Sequence, residues 1–210
     1  MSEYGNMTMK QYRDALSSKE PTPGGGTASA VALSQGAALA VMVCNLTLGN
    51  EKWKSGWDSA NRCLEIANPL LDKGYELAND DAHSFDAVMD AFRMPKSTDE
   101  EMETRRNAIH SGTLEASNVP LSTARLACDL LEVLIPLANT GNANAVTDVA
   151  VAGLLTSASC KGALFNVEIN LISLPNDLGT DQREELENIR SKCHQISREL
   201  MKVVNSRMHA

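Results

Sequence analysis

Thirty consecutive residues, from Pro21 to Asn50, carry no charged side chain. A helix of that composition has no face suited to open water, so it belongs either in a bilayer or inside a larger helical assembly. Ala and Gly dominate the stretch, and Ser29, Ser34, Gln35, Asn45 and Thr47 dilute it. That mixture predicts a helix wrapped on most sides by other helices and no membrane partner. Ala30, Gly36, Ala37 and Ala40 would let neighbours approach closely, and a subunit interface is one source of the burial.

The stretch opens with Pro21-Thr-Pro-Gly-Gly-Gly-Thr-Ala-Ser-Ala30. Two prolines hold the chain extended, while Gly24, Gly25 and Gly26 remove every Cβ from the turn that follows Pro23. Thr27 or Ser29 can cap the helix behind it, and its first N–H groups favour an anionic or carbonyl oxygen. Two readings fit these residues: a backbone cradle for a ligand, or a glycine-rich turn that only starts a helix. The run has neither the GxGxxG spacing nor the Lys-Ser/Thr ending of nucleotide-binding loops.

The rest of the chain divides at turn residues into long segments of helical periodicity, which predicts an all-α bundle of long, partly kinked helices with two buried apolar helices. Helices are expected over Thr8 to Lys19, about Thr27 to Leu48, about Asp58 to Phe92 with Pro69 kinking or splitting it, and from Ser97 or Thr98 to about Ala138. Pro120 and Pro136 interrupt that fourth segment, so kinked and successive helices both fit. Asn139 to Asn144 reads as a loop, Ala145 to Leu174 as the second buried helix, and Asp177 to Arg207 as an amphipathic surface helix with Leu186, Ile189, Ile196, Leu200 and Val203 on its apolar side. With 210 residues, 43% of them hydrophobic, and no linker composition, residues 1–210 form one expected domain.

The formal net charge of -8 and the absence of a Lys/Arg cluster argue against a nucleic-acid partner and for a small molecule or protein. Cys44, Cys63, Cys128, Cys160 and Cys193 are odd in number, widely spaced and without a CxxC pair. They indicate neither a disulfide framework nor a zinc site, and they suit the reducing cytoplasm. The first twenty residues have no apolar signal-peptide segment.

Inside the second buried segment, Asp148 is the only charged residue between Glu132 and Lys161. A carboxylate in such surroundings needs donors, a cation or a raised pKa, so it marks either a functional site or a helix cap. Asn144 shares its helical face, Asn166 and Asn170 share one further on, and Asn45 on the first buried helix could face them. Amides that satisfy one another inside a helix interface are the plainer reading of that polar stripe. Asp80, Asp81, Asp86 and Asp90 with His83 offer carboxylate and imidazole, as a solvated helix face also does, and no HExxH-type spacing accompanies them.

Seven elements taken in order carry a family likeness: Pro21-Thr-Pro-Gly-Gly-Gly26, Met42-Val-Cys-Asn-Leu-Thr-Leu-Gly49, Asp81-Ala-His-Ser-Phe85, Met94-Pro-Lys96, Val119-Pro-Leu121, Gly141-Asn-Ala-Asn144 with Asp148, and Gly162-Ala-Leu-Phe-Asn-Val-Glu-Ile-Asn-Leu171. Together they resemble the cyclodeaminase/cyclohydrolase family of tetrahydrofolate enzymes over roughly residues 8 to 205. The resemblance implies an all-α homodimer acting on the one-carbon bridge of a folate, with no metal and no cofactor beyond that substrate. Two activities occur in the family: hydrolysis of methenyltetrahydrofolate to formyltetrahydrofolate, and closure of formiminotetrahydrofolate to the methenyl form with loss of ammonia. The single-domain length points to the first, and a non-catalytic folate-binding protein is the remaining alternative.

Carried onto these positions, the resemblance implies Asp148 as general base and Asp81 as second base or acid. Pro23, Gly24, Gly25, Gly26, Asn45, Asn144, Asn166 and Asn170 would hold substrate and water. Many relatives carry a lysine cluster after Leu-Thr-x-Gly, whereas here Gly49 is followed by Asn50-Glu51-Lys52-Trp53, with Lys52 the one lysine of that stretch. Lys52, or else Lys96 or Arg93, is therefore the expected contact for the glutamate tail.

Overall fold

A computed structural model describes residues 4–209. Six α-helices account for most of it: α1 Met9–Leu16, α2 Gly25–Thr47, α3 Trp57–Arg93, α4 Asp99–Thr140, α5 Val146–Ile172 and α6 Thr180–Met208. Short 3-10 turns at Tyr4–Asn6, Glu51–Gly56 and Ala143–Ala145 complete the described elements, and none of these residues is in a strand. Thr8 caps α1 in a reciprocal pair with Gln11, and Thr98 caps α4 in the same way with Glu101. Neither Pro69 in α3 nor Pro120 and Pro136 in α4 splits its helix. The stretch expected as a loop from Asn139 is shorter, because α4 continues to Thr140 and a 3-10 turn leads directly into α5.

The two uncharged helices sit where their composition demands. Both α2 and the Ala143–Ile172 stretch are long and apolar enough to cross a membrane by length and composition. In the bundle, α2 packs on α3 and α5, while α5 packs on α2, α4 and α6. Small residues set the spacing: Gly36 lies against Ala152 and Thr156, Gly162 against Ser29, and Gly74 against the backbone of Ala30 and Ser34. Leu33, Ala37, Ala40 and Val43 of α2 are fully buried, as are Leu121, Leu130, Leu131 and Leu134 of α4. α6 closes the bundle with Leu186, Ile189, Cys193, Ile196, Leu200 and Val204 inward, which adds Cys193 to the expected stripe and buries Val204 where Val203 was expected.

Two terminal arrangements position the site. At its far end α2 stops at Gly49, whose φ of +73° few other residues adopt. There Thr47 accepts the N–H of Asn142 at 3.0 Å, and the Asn142 side chain donates to Leu46 O at 3.0 Å, fastening the start of α5 beside the end of α2. At the opposite end Gly25 lies beside Asn166. α2 and α5 are thus antiparallel neighbours.

Candidate functional site

The start of α2 is built as the sequence suggests, with one change. Gly24 occupies the cap position, and Thr27 acts from inside the first turn, its hydroxyl accepting the Gly24 N–H at 2.7 Å. Ser29 instead donates to Gly25 O at 2.7 Å. The cap from outside the helix is Asp81 of α3, whose carboxylate accepts the Thr27 backbone N–H. Gly26 leaves room for Asp81, since a Cβ at that position would overlap its carboxylate unless the side chain moved. Burial pushes Asp81 up to about 6, and the hydrogen bond from Thr27 only partly opposes it.

Asp81 faces a cleft of about 460 Å³. Its walls are the turn from Pro21 to Gly26, α3 with Ser84, Phe85 and Phe92, α4 with Ile109 and Thr113, and α5 with Asn166 and Asn170. Asn166 donates its amide to Gly162 O at 2.8 Å and Asn170 to Ala116 O at 3.2 Å, which leaves each amide oxygen without a protein donor among the described residues. Asp81 is the single charged side chain among the described residues of the lining. The cleft therefore offers a flat apolar bed, two amide oxygens and one titratable carboxylate, a set suited to a planar heterocycle that carries N–H donors and positive charge. Phe85, Val88 and Phe92 went unremarked as site residues in the sequence; their signal is an apolar i, i+3, i+7 row on a helix otherwise rich in charge.

Other expected site residues lie elsewhere. Eighteen residues of helix separate Asp148 from Asn166, about 27 Å at 1.5 Å per residue. One copy of the chain therefore does not unite the polar stripe. Asn144 is exposed, and Asn45 lines a separate shallow groove with Met42 and Leu46 at the same end of the molecule. Asp148 is half-buried in the first turn of α5, and its side chain neither caps that helix nor enters an ion pair among the described residues. Lys52 lies at this end too, its Nζ 4.7 Å from the centre of the Trp53 ring. Pro23 is buried under the turn, with a cis Thr22–Pro23 peptide.

Of the two alternative tail contacts, Arg93 is engaged by Asp90 at 2.7 Å. Lys96 lines a groove of mixed charge with Asp99, Glu103, Arg105 and Arg106. Arg105 donates to Phe92 O at 3.0 Å and covers the Phe92 ring, joining groove to cleft. The five cysteines are all free and buried. Three of them, Cys128, Cys160 and Cys193, arrive from three different helices with their sulfur atoms within 4.8 Å of one another, a grouping that linear spacing cannot reveal.

This geometry coincides with a clear relationship. The family model described as Formiminotransferase-cyclodeaminase matches residues 8–188. The chain belongs to the formiminotransferase-cyclodeaminase family. It is 34% identical over 206 residues to the methenyltetrahydrofolate cyclohydrolase of Methylorubrum extorquens, covering 98% of this chain and 99% of that protein. It is 32% identical over 171 residues to the formimidoyltransferase-cyclodeaminase of Mus musculus, but spans only 32% of that longer relative. Among solved structures, the formiminotetrahydrofolate cyclodeaminase of Thermotoga maritima superposes with a TM-score of 0.85 at 28% identity, covering 96% of this chain and 98% of its own. The family's helical fold thus carries the cleft in which the glycine turn and Asp81 meet.

Proposed function

We propose that the protein is a methenyltetrahydrofolate cyclohydrolase, converting the methenyl form to formyltetrahydrofolate in a homodimer of the cytoplasm. The observation that carries this reading is Asp81 as a lone carboxylate in an apolar, amide-lined cleft at the start of α2. The relationship to a cyclohydrolase over nearly its whole length supports the choice of reaction. Five free, buried thiols support a reducing compartment.

The methenyl bridge is a delocalised amidinium cation and is already an electrophile, so the reaction needs an aimed water and a proton acceptor. Asp81 takes a proton from that water as its oxygen attacks the bridge carbon. The neutral hydroxyl adduct then collapses: its hydroxyl proton is lost to solvent as the C=O forms and the bond to the ring nitrogen breaks, and Asp81 returns its own proton to the departing nitrogen, so that one proton is released overall. Asn166 and Asn170 present amide oxygens to the pterin N–H groups, and Phe85 and Phe92 stack on or flank its apolar faces. The backbone from Gly24 to Gly26 lies along the ring, and Lys96 and Arg106 receive the tail carboxylates. The folate alone supplies the chemistry, with no metal or further cofactor in the scheme.

Cyclodeaminase activity is the second reading, favoured by the Thermotoga maritima structural relative. The two are separated by giving the purified protein methenyltetrahydrofolate and formiminotetrahydrofolate in parallel while following near-UV absorbance and ammonia. Hydrolysis of the first without ammonia from the second is the expected result. Rapid ammonia release identifies a cyclodeaminase, and tight folate binding without turnover of either identifies a carrier.

The glycines give a paired test. A Cβ at Gly25 meets only the Asn166 amide, at an ordinary 3.7 Å, so Gly25→Val is expected to fold normally while filling the cleft and weakening folate binding tenfold or more. Unchanged affinity in folded Gly25→Val returns the turn to a purely structural role. Gly26→Ala acts differently, because it displaces Asp81, and is expected to lower kcat more than it raises KM.

A further inference from the structure

Each of α4, α5 and α6 carries a single cysteine, and the three thiols meet at one point. The Sγ atoms of Cys128 and Cys160 are 3.8 Å apart, and Cys193 completes a triangle in which no two sulfurs are more than 4.8 Å apart. Cys160 and Cys193 are fully buried and Cys128 nearly so. Packing at such a point asks only for small apolar side chains, a role that a cysteine can fill. It does not ask for three thiols directed from three helices to a common centre.

The triangle has the size of a metal–thiolate centre. Three sulfurs held about 2.3 Å from one ion in a trigonal plane stand about 4 Å apart, so side-chain adjustment alone brings these three onto an ion. Their protons are already unevenly held. Hydrogen bonds from Cys128 and Cys160 keep the Cys193 thiol below its ordinary range, with Ser197 and Ser157 assisting and burial opposing. The remaining bonds of the group are weak: Cys160 donates to Ala124 O at 3.6 Å and Cys128 to Ile189 O at 3.9 Å. An ion that replaces these thiol protons therefore forfeits little, and it neutralises sulfur charge that burial would otherwise penalise.

The donor set selects the ion. All three ligands are sulfur, and no fourth His, Cys, Asp or Glu joins them among the described residues. Structural zinc is almost always four-coordinate and iron–sulfur clusters take four cysteines, whereas a small set of thiolates suits the soft, closed-shell Cu+ ion. A route inward has the same softness. Ser197 Oγ lies 3.8 Å from Cys193 Sγ and 3.0 Å from Ser157 Oγ. Both serines line a groove of about 410 Å³ between α5 and α6 that also holds the Met201 thioether and the His194 imidazole.

We propose that Cys128, Cys160 and Cys193 form a buried three-sulfur site for one Cu+ ion, reached from the groove between α5 and α6 and joining α4, α5 and α6 when filled. Each sulfur that ligates as a thiolate gives its proton to solvent, a Cu–S bond takes the place of the S–H bond, and no electron is transferred. The filled site carries net negative charge, and Lys192, which is close enough to Cys128 to interact with it, offsets part of that charge. None of the three cysteines lines the folate cleft, so the site does not depend on the reading of that cleft.

The test uses the reduced full-length protein and Cu+ supplied anaerobically as its complex with the chromophoric chelator bathocuproine disulfonate. Wild type is expected to withdraw one equivalent of copper from the chelator, to show a first shell of sulfur alone by X-ray absorption, and to melt about 5 °C higher with the ion bound. Cys128→Ala, Cys160→Ala and Cys193→Ala are each expected to weaken uptake by about 100-fold or more, whereas Cys63→Ala, in the separate pair with Cys44, leaves it unchanged. Because each replaced thiol is buried, the absorption spectrum of wild type supplies a readout that needs no variant to fold. A shell containing nitrogen or oxygen, uptake that survives loss of Cys160, or no withdrawal of copper at all overturns the site. Zn2+ that displaces Cu+ at equal concentration overturns the choice of ion. Folate turnover enters none of these readouts, so the copper site and the folate reaction stand or fall separately.

Discussion

Asp81→Asn is expected to lower turnover of methenyltetrahydrofolate by about 10²-fold or more while leaving a folded protein, the scale on which positioned acid–base groups act. The asparagine keeps an oxygen for the Thr27 N–H, so the start of α2 retains its cap and the loss falls on proton transfer. The pH profile gives a second readout. With Asp81 pushed up to about 6, the wild-type rate should fall as pH drops through that value, and the residual rate of the variant should lack that limb. Stability moves in the opposite sense. The native carboxyl binds its proton more tightly than in the unfolded chain, so its favourable contribution is full below the ordinary Asp range and is lost as pH rises through about 6. At pH 7–8, Asp81→Asn should therefore melt no lower than wild type. A variant with wild-type kcat removes Asp81 from the reaction; one that loses both activity and thermal stability assigns it a structural role.

Gly74→Val should damage the scaffold itself, leaving the cleft residues in place. A Cβ there would stand 2.7 Å from Ala30 O and 2.7 Å from the Ser34 Cβ, on the line where α3 crosses α2. Neither neighbour is the free end of a flexible chain, and Ser34 is itself held by a 2.6 Å hydrogen bond to Leu71 O. Relief requires α2 and α3 to separate, which also opens the contacts of Leu33 and Ala37. Overpacking of this kind costs about 1–3 kcal/mol, and a branched residue falls at the upper end, so a fall in Tm of about 5–10 °C is expected by calorimetry. Gly49→Ala provides the contrast: nothing lies within 4 Å of its Cβ, and only the φ of +73° resists the change, at about 1 kcal/mol.

Much of this architecture is legible in the chain because the relevant signals are local. The uncharged run names α2, the Thr98 to Glu101 sequence names the start of α4, and the Leu186 to Leu200 spacing names the inward face of α6. The prolines of α3 and α4 leave continuation and division both open in the sequence, and each helix continues through them. The cleft is legible in its parts, since the glycine turn, Asp81, Asn166 and Asn170 all stand out. Their assembly is not, because adjacency depends on which end of α2 meets which end of α5. The isolation of Asp148 in the sequence singles out a half-buried carboxylate, but the 18 residues between it and Asn166 translate into a length that linear reasoning about shared helical faces does not measure. Likewise, α3 must run from Trp57 as far as Asp81 to bring that carboxylate back to the head of α2.

The absence of any cation from the described lining of the cleft bears on how the product leaves. In the proposed reaction a positively charged bridge would be attracted to ionised Asp81 by an amount on the order of 1–4 kcal/mol, depending on how much water remains between them. Hydrolysis abolishes that charge, and the neutral formyl compound loses the attraction at the moment it forms. The tail contacts are unaltered by the reaction, so the difference in affinity arises at the bridge alone. Formyltetrahydrofolate should then inhibit weakly, and turnover should remain nearly linear long after product has outnumbered substrate.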